Sequence, residues 1–208
     1  MRGRVYEDRR GCNSHAGCAR IANPQITMPL KEHFDAVTGL QIGGTESYQG
    51  KTISDWFRSK EPTFKHSVPR ISQSELDFYK YCDAQFDAFI NFDLPLASKI
   101  TRECEKSAVV MEKYVPFLNV PKILLRQSCE YLCATYTTQQ CCGEYSLFAI
   151  RSKASDNLLY LLALLNSKLL TFYSRESGII ISAPRKQAQI RKSGVDSIPI
   201  RRINSPTP

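Results

Sequence analysis

The sequence has no uncharged apolar run of the roughly 20 residues that a bilayer span needs. Its longest, Leu158–Leu165 with flanking Asn157 and Asn166, is much shorter. No apolar core follows Met1-Arg-Gly-Arg4, so secretion into an oxidising compartment is not indicated, and the expectation is a soluble, cytoplasmic chain with no membrane partner. Histidine is scarce: His15, His33 and His66 lie far apart, at no spacing that suggests a metal ligand set or a base–nucleophile pair. Trp56 is the single tryptophan and belongs in a core or an interface. Cysteine is not scarce, but Cys12, Cys18, Cys82, Cys104, Cys129, Cys133, Cys141 and Cys142 form no paired CxxC pattern. That excludes an ordinary zinc ribbon and leaves reduced, mostly buried thiols acting as small hydrophobes.

The composition gives a globular chain. Its 208 residues are 42% hydrophobic and 23% charged, enough apolar material for one large domain or two small ones. The formal net charge is +8, and it is unevenly placed. Residues 1–30 hold five Lys/Arg against two Asp/Glu, residues 31–121 hold 11 against 13, and residues 122–208 hold 12 against five. A basic C-terminal part suits a polyanionic partner.

Local patterns suggest a lead over 1–28, an ordered body over 29–203 with sub-regions 29–118 and 119–203, and a tail over 204–208. Leu30–Val37 suggests a short helix, and Gly50-Lys51 a turn. Thr52–Phe57 fits a strand or a short helix. Ser67-Val-Pro-Arg70 reads as extended, because the residue before proline is pushed out of the helical region. Ser72 and Glu75 are spaced as a capping box for a helix to Tyr81. Phe86–Phe92 fits strand or helix, and much of Leu94–Val115 has helical spacing. Pro121–Gln127, Leu132–Tyr136 and Tyr145–Arg151 predict three strands of an antiparallel meander, with a turn over Gln139–Gly143. A Leu-rich helix follows, capped by Ser155 or Asp156 and running to about Tyr173; Gly178 ends it and Ile179–Ile181 is a further strand. Asn166 interrupts that helix and is expected to satisfy its amide on a neighbouring backbone. The fold class is α+β: a short, largely antiparallel sheet on a long Leu-rich helix, with a mixed N-terminal sub-region.

Several of these segments together resemble a known family. Pro121-Lys-Ile-Leu-Leu-Arg-Gln127, Ala134-Thr-Tyr136, Ser146-Leu-Phe-Ala-Ile-Arg151, the helix Leu161-Leu-Ala-Leu-Leu-Asn-Ser-Lys-Leu-Leu-Thr-Phe-Tyr173 and Val195-Asp-Ser-Ile-Pro-Ile200 occur in the order of the TaqI-like specificity domain. That domain lies C-terminal to adenine methyltransferases in type IIG and related restriction–modification enzymes. Gly50-Lys51-Thr-Ile53 resembles its early Gly-Lys-x-Ile element, whereas the turn Gln139–Gly143 departs from the family pattern. The resemblance implies sequence-specific binding of double-stranded DNA as a target-recognition domain, with no catalysis in this chain. On that reading the basic residues Lys122, Arg126, Arg151, Lys168, Arg185, Lys186, Arg191 and Lys192, with Tyr145 beside the Cys-Cys-Gly turn, are the candidate DNA contacts, Arg126 being favoured over Gln127 because neighbours on a strand face opposite ways. The implied partner, besides DNA, is a methyltransferase or nuclease domain or subunit.

The chemistry of such a partner is not written in this sequence. The adenine-methyltransferase signature Asn-Pro-Pro-Tyr/Phe is absent, and Gly43-Gly44 is too little to form a loop that holds S-adenosylmethionine. Glu103-x-Glu105-Lys106 resembles a nuclease metal site only superficially, since i and i+2 on a helix face apart. S-adenosylmethionine and Mg²⁺ are therefore expected only in catalytic domains outside this chain. Two other readings remain: a protein-interaction module that docks on a partner subunit, and an independent nuclease.

Overall fold

The computed structural model describes residues 22–24, 26–43, 46–76, 86–104, 109–183 and 186–201. β1 (Thr27–Pro29), a 3-10 turn at Leu30–Glu32, β2 (Phe34–Thr38) and β3 (Gln41–Ile42) open the fold, followed by the hairpin of β4 (Ser47–Tyr48) and β5 (Lys51–Thr52). Helix α1 (Ile53–Phe57) starts at Thr52, whose hydroxyl accepts from the Asp55 N–H. β6 (Arg58–Ser59), β7 (Val68–Ile71) and β8 (Ala88–Ile90) precede α2 (Leu94–Glu103), which is capped by Asp93. β9 (Val109–Val110) and a 3-10 helix at Glu112–Phe117 lead to β10 (Lys122–Arg126), β11 (Ala134–Thr137), β12 (Cys142–Gly143) and β13 (Leu147–Ser152). Helices α3 (Leu158–Leu165) and α4 (Lys168–Glu176), strands β14 (Ile180–Ala183) and β15 (Lys186–Ile190), α5 (Lys192–Ser197) and β16 (Pro199–Arg201) complete it. The architecture is α+β.

The organising element is a four-stranded antiparallel sheet in the order β11-β10-β13-β2. Both of its faces are covered, which explains why Ile123-Leu124-Leu125 is apolar without alternation. Leu124, Leu147 and Ala149 point into a core shared with α1, α2 and β7 through Phe57, Ile100 and Ile71. Ile123, Leu125, Phe148 and Ile150 point the opposite way, into a core closed by Leu161, Leu162 and Leu165 of α3 and by Ile190, Val195 and Ile198. A fully buried side chain of this size stabilises by about 1.5–3 kcal/mol, so the sheet anchors both halves. On the first side lies a second sheet, β12-β7-β8-β6, in which β12 pairs with β7 in parallel.

Several expectations are corrected. Leu30–Val37 is a 3-10 turn followed by a strand: Phe34 packs into one core and Val37 against the other, a period of two rather than 3.6. The three strands are not a meander, because β10 lies between β11 and β13. After β11 the chain leaves the sheet, pairs Cys142 and Gly143 with Arg70 and Ile71, and returns on the far side of β10. The helical reading of Leu94–Val115 holds only to Glu103, beyond which Val109-Val110 pairs with β3. Ser72 makes no side-chain cap, its hydroxyl pairing with Ser74 at 2.7 Å; the helix expected to Tyr81 is three residues of 3-10, and 77–81 lie outside the described residues.

The Leu-rich helix is two helices. Asn157, rather than Ser155 or Asp156, caps α3, and Ser167 caps α4 by accepting from Leu170 N–H at 3.1 Å. Asn166 ends α3, and its amide bonds both polar groups of Ala134: Oδ1 accepts from the Ala134 N–H and Nδ2 donates to the Ala134 carbonyl, each at 2.9 Å. Because β11 is an edge strand, Asn166 supplies one rung where a fifth strand would have been. Gly178, at φ +73°, then turns the chain into β14, a conformation that favours glycine. The strand β1 pairs with β16, with Thr27 opposite Arg201 and Met28 opposite Ile200.

Candidate nucleic-acid interface

The candidate contacts fall at opposite ends of the central sheet. Lys122 opens β10 and Arg151 lies near the end of β13, while Arg126 ends β10 opposite Leu147 at the start of β13. Five strand residues separate these ends by about 13 Å. The structure therefore does not bring the nine residues into one patch.

At the first end the two cations are consumed internally. Lys122 is 0% exposed, and its Nζ donates to the carbonyls of Leu118 and Gln139 at 3.0 Å and of Val120 at 3.3 Å. Burial lowers its pKa. An ammonium whose three N–H bonds all end on buried or half-buried carbonyls does not reach a phosphate, so the expectation of Lys122 as a contact is corrected. Arg151 donates to Asp35 at 3.0 Å and to the Pro116 carbonyl at 3.2 Å, with its guanidinium 5.1 Å from the centre of the Phe117 ring. It clamps the 3-10 helix to the sheet.

The second end is built by backbone ties among four segments. Gln127 N–H donates to the Ser146 carbonyl and Ile190 N–H to the Gln127 carbonyl, each at 2.9 Å, and Ser128 forms a β-bridge with Gln189. The ends of β10 and β15 and the start of β13 are thereby held together. Gln73 joins from β7: its amide donates to the Ser128 carbonyl at 3.2 Å, and its N–H donates to Glu144 at 2.6 Å. Gly39 makes this junction close, since a Cβ there would stand 2.0 Å from the Glu144 carbonyl oxygen.

Around this junction stand Arg126, Tyr145 and Arg191. Arg126 is half-buried, and its Nε is shielded with no hydrogen-bond partner. Tyr145 is 53% exposed and lines a cleft of about 420 Å³ with Arg58, Arg70, Glu144 and Ser146. Arg58 and Arg70 share the carboxylate of Asp87, Arg58 at 3.2 Å. Lys186 opens β15, Arg191 follows it on the surface, and Arg185 lies outside the described residues. Lys168, exposed at the start of α4, lines a second cleft of about 600 Å³ with Tyr131, Asn166, Phe172 and Arg175, beside the start of β11. Lys192 is exposed but paired with both Asp196 oxygens at 2.6 Å, an i,i+4 surface pair that adds little to stability.

Arg58, Arg70 and, on β15, Gln187 and Gln189 are not among the contacts expected from the sequence. The first two sit in the sub-region with no net basic charge. The alternation in Lys186-Gln-Ala-Gln-Ile190 is the signal of a half-buried strand, set within a basic stretch.

The remaining chemistry is sparse. Cys129, Cys141 and Cys142 are free and buried, Cys133 is buried, and Cys104 is free and half-buried. Burial pushes the Cys129 thiol up to about 11 and raises that of Cys142 further, so neither is a ready thiolate. Glu103 accepts from the Tyr48 hydroxyl at 2.8 Å, and Glu105 and Lys106 lie outside the described residues. Among the described residues, no group of three or more His, Cys, Asp or Glu is arranged to hold a metal ion, and no helix is long and apolar enough to cross a membrane.

Comparison with known proteins places this geometry. The fold is similar to that of the type IIG restriction endonuclease BpuSI, with a TM-score of 0.52, 10% identity, and coverage of 92% of this chain and 26% of that one. Weaker likenesses are to the HsdS subunit from Thermoanaerobacter tengcongensis (TM-score 0.49, 14% identity, 90% and 38% coverage) and to a structure from work on complex assembly in the type I R-M system (0.48, 12%, 90% and 40%). The chain thus spans about a quarter to two fifths of the length of the chains it matches. No curated protein matches it. Residues 80–200, more than half of the chain, match the TaqI-like C-terminal specificity domain, and the chain belongs to that family.

Proposed function

We propose that this chain binds double-stranded DNA and recognises its target sequence for a restriction–modification enzyme of the type IIG kind, whose methyl transfer and cleavage are carried out by other domains or subunits. The observation that carries this reading is the specificity-domain match over residues 80–200. The end of the sheet that carries Arg126, Tyr145 and Arg191 is the surface that meets the duplex, with Lys168 and Lys192 extending it; Arg185 and Lys186 belong to the contact set by their sequence. Most of these cations hold phosphates and set register, which gives affinity without sequence information. The catalytic part would hold S-adenosylmethionine and Mg²⁺ and would take the target adenine out of the stack, while this chain fixes the duplex beside it.

A second reading, docking on a partner subunit, is favoured by one observation. Leu169 and Phe172, i and i+3 on α4, are 62% and 46% exposed.

The test is a gel-shift titration of the chain against a random duplex from 50 to 200 mM salt. The proposed interface predicts binding that weakens steeply, with a log–log slope of about −3.6 to −4.5 for four or five neutralised phosphates. No binding at 50 mM salt contradicts DNA recognition by this chain, and a complex with a purified methyltransferase subunit under the same conditions would favour the docking reading.

A further inference from the structure

β14 and β15 form a two-stranded antiparallel ribbon with no third strand among the described residues. Its two faces differ. Ile180 pairs with Ile190, and both are buried with Ala188 in the core under α3. The opposite face carries Ile181, 41% exposed, directly across from Gln189, and Gln187 one step along the same strand; both glutamines are exposed. Directly opposed residues of an antiparallel pair share a face, with Cβ atoms about 4.5–5.5 Å apart. The ribbon therefore shows solvent an uncharged row of two amides and one branched apolar group, between Lys186 and Arg191 at its ends.

That row has the shape and chemistry of a major-groove reader. The groove admits a two-stranded ribbon, a glutamine amide bonds adenine bidentately at N6 and N7, and an apolar group packs on the thymine methyl. Gln187 and Gln189 stand two strand residues apart, a rise of about 6.8 Å. Two base-pair steps of about 3.4 Å span the same length. The ribbon is also held in place before any ligand arrives: Gln187 Nε2 donates to the Ser128 carbonyl at 3.4 Å, the carbonyl to which Gln73 also donates, and Gln189 bridges to Ser128 through the backbone. A neutral, fixed amide between cations is poorly suited to gripping phosphate, which calls for charge, and well suited to a base edge.

We infer that the outer face of the β14–β15 ribbon reads A·T pairs in the major groove, Gln189 bonding an adenine with Ile181 against a thymine methyl, and Gln187 bonding two steps away. This rests on the proposed DNA recognition and goes beyond it by naming the reading residues and the base class.

The test uses the full chain and the duplex it prefers, selected from a random pool. Each adenine is replaced in turn by 7-deazaadenine, which removes the N7 acceptor and leaves Watson–Crick pairing intact, and each thymine by uracil, which removes the methyl. For wild type, 7-deazaadenine at one or two positions is expected to weaken binding roughly 5- to 150-fold, the range of about 1–3 kcal/mol for one bidentate contact. At one of those positions Gln189→Ala binds the natural and the 7-deaza duplex equally, with random-duplex affinity and salt slope unchanged. Uracil at that pair or its neighbour weakens wild type and leaves Ile181→Ala indifferent. If wild type keeps a preferred sequence but tolerates every 7-deazaadenine, or if Gln187→Ala and Gln189→Ala lose as much as wild type at each position, the ribbon is not the reader and the broader function stands. If wild type binds duplexes without preference, both fall.

Discussion

Two polar side chains in apolar surroundings, Asn166 and Lys122, spend their hydrogen bonds on the backbone. Asn166 bonds both the N–H and the carbonyl of Ala134 and so closes one rung of an edge strand. Asn166→Ala removes two hydrogen bonds and leaves two backbone groups to find other partners. A loss of about 2–3 kcal/mol in urea unfolding is expected, with unchanged DNA affinity per folded molecule. The sequence showed that this amide needed a backbone partner, because an asparagine among leucines must be satisfied. It did not show which partner, since Ala134 is 32 residues away. For Lys122, nothing local marks a lysine at the head of an apolar strand as buried. Lys122→Met takes the donor from three carbonyls and should cost about 1–3 kcal/mol near neutral pH. Burial lowers the native pKa of Lys122 below its ordinary 10.5. Between the lowered value and 10.5 the unfolded chain holds a proton that the native chain has released, so wild-type stability rises with pH there. The gap between wild type and Lys122→Met therefore widens on going from pH 8 toward 10.5; a gap that narrows contradicts the buried ammonium.

Among elements, the strands of the C-terminal half were legible and their order was not. Runs such as Ile123-Leu124-Leu125 and Leu147–Ile150 announce strands buried on both faces. Which strand lies in the middle depends on β12 pairing with β7, 72 residues apart at Cys142 and Arg70, and no local pattern carries that. The same holds for Leu30–Val37, where the period of two extends over too few residues to outweigh the helical reading. Tertiary closeness is most severe at Gly39, where β2 passes the backbone of Gly143 and Glu144. Gly39→Ala would set its Cβ 2.0 Å from a main-chain oxygen, so the 143–146 segment must move. A loss of about 1–3 kcal/mol is expected from overpacking, and DNA affinity should fall too, because Tyr145 rides on that segment; thermal unfolding and anisotropy on the same sample check both.

At the scale of the molecule, one sheet carries two cores on its faces and two unlike ends. One end is closed by Lys122 and Arg151, and the other gathers Arg126, Tyr145, the ribbon and Arg191. The family and the basic C-terminal half could be recognised in the sequence; the division of the cations between the two ends could not, because it follows from strand direction and burial. If the second end faces DNA, Arg126→Ala, Lys168→Ala and Arg191→Ala each weaken binding by similar factors on every duplex and reduce the magnitude of the salt slope by about 0.9. Arg151→Ala instead lowers stability and leaves the slope alone.

The most direct measurement is the ratio of affinities, at 150 mM salt, for the duplex selected from a random pool and for the unselected pool. Recognition by this chain predicts a ratio of at least about 10³ in favour of the selected duplex. A ratio near one, with binding still steeply salt-dependent, would leave only a basic surface and contradict the claim that this specificity domain reads sequence.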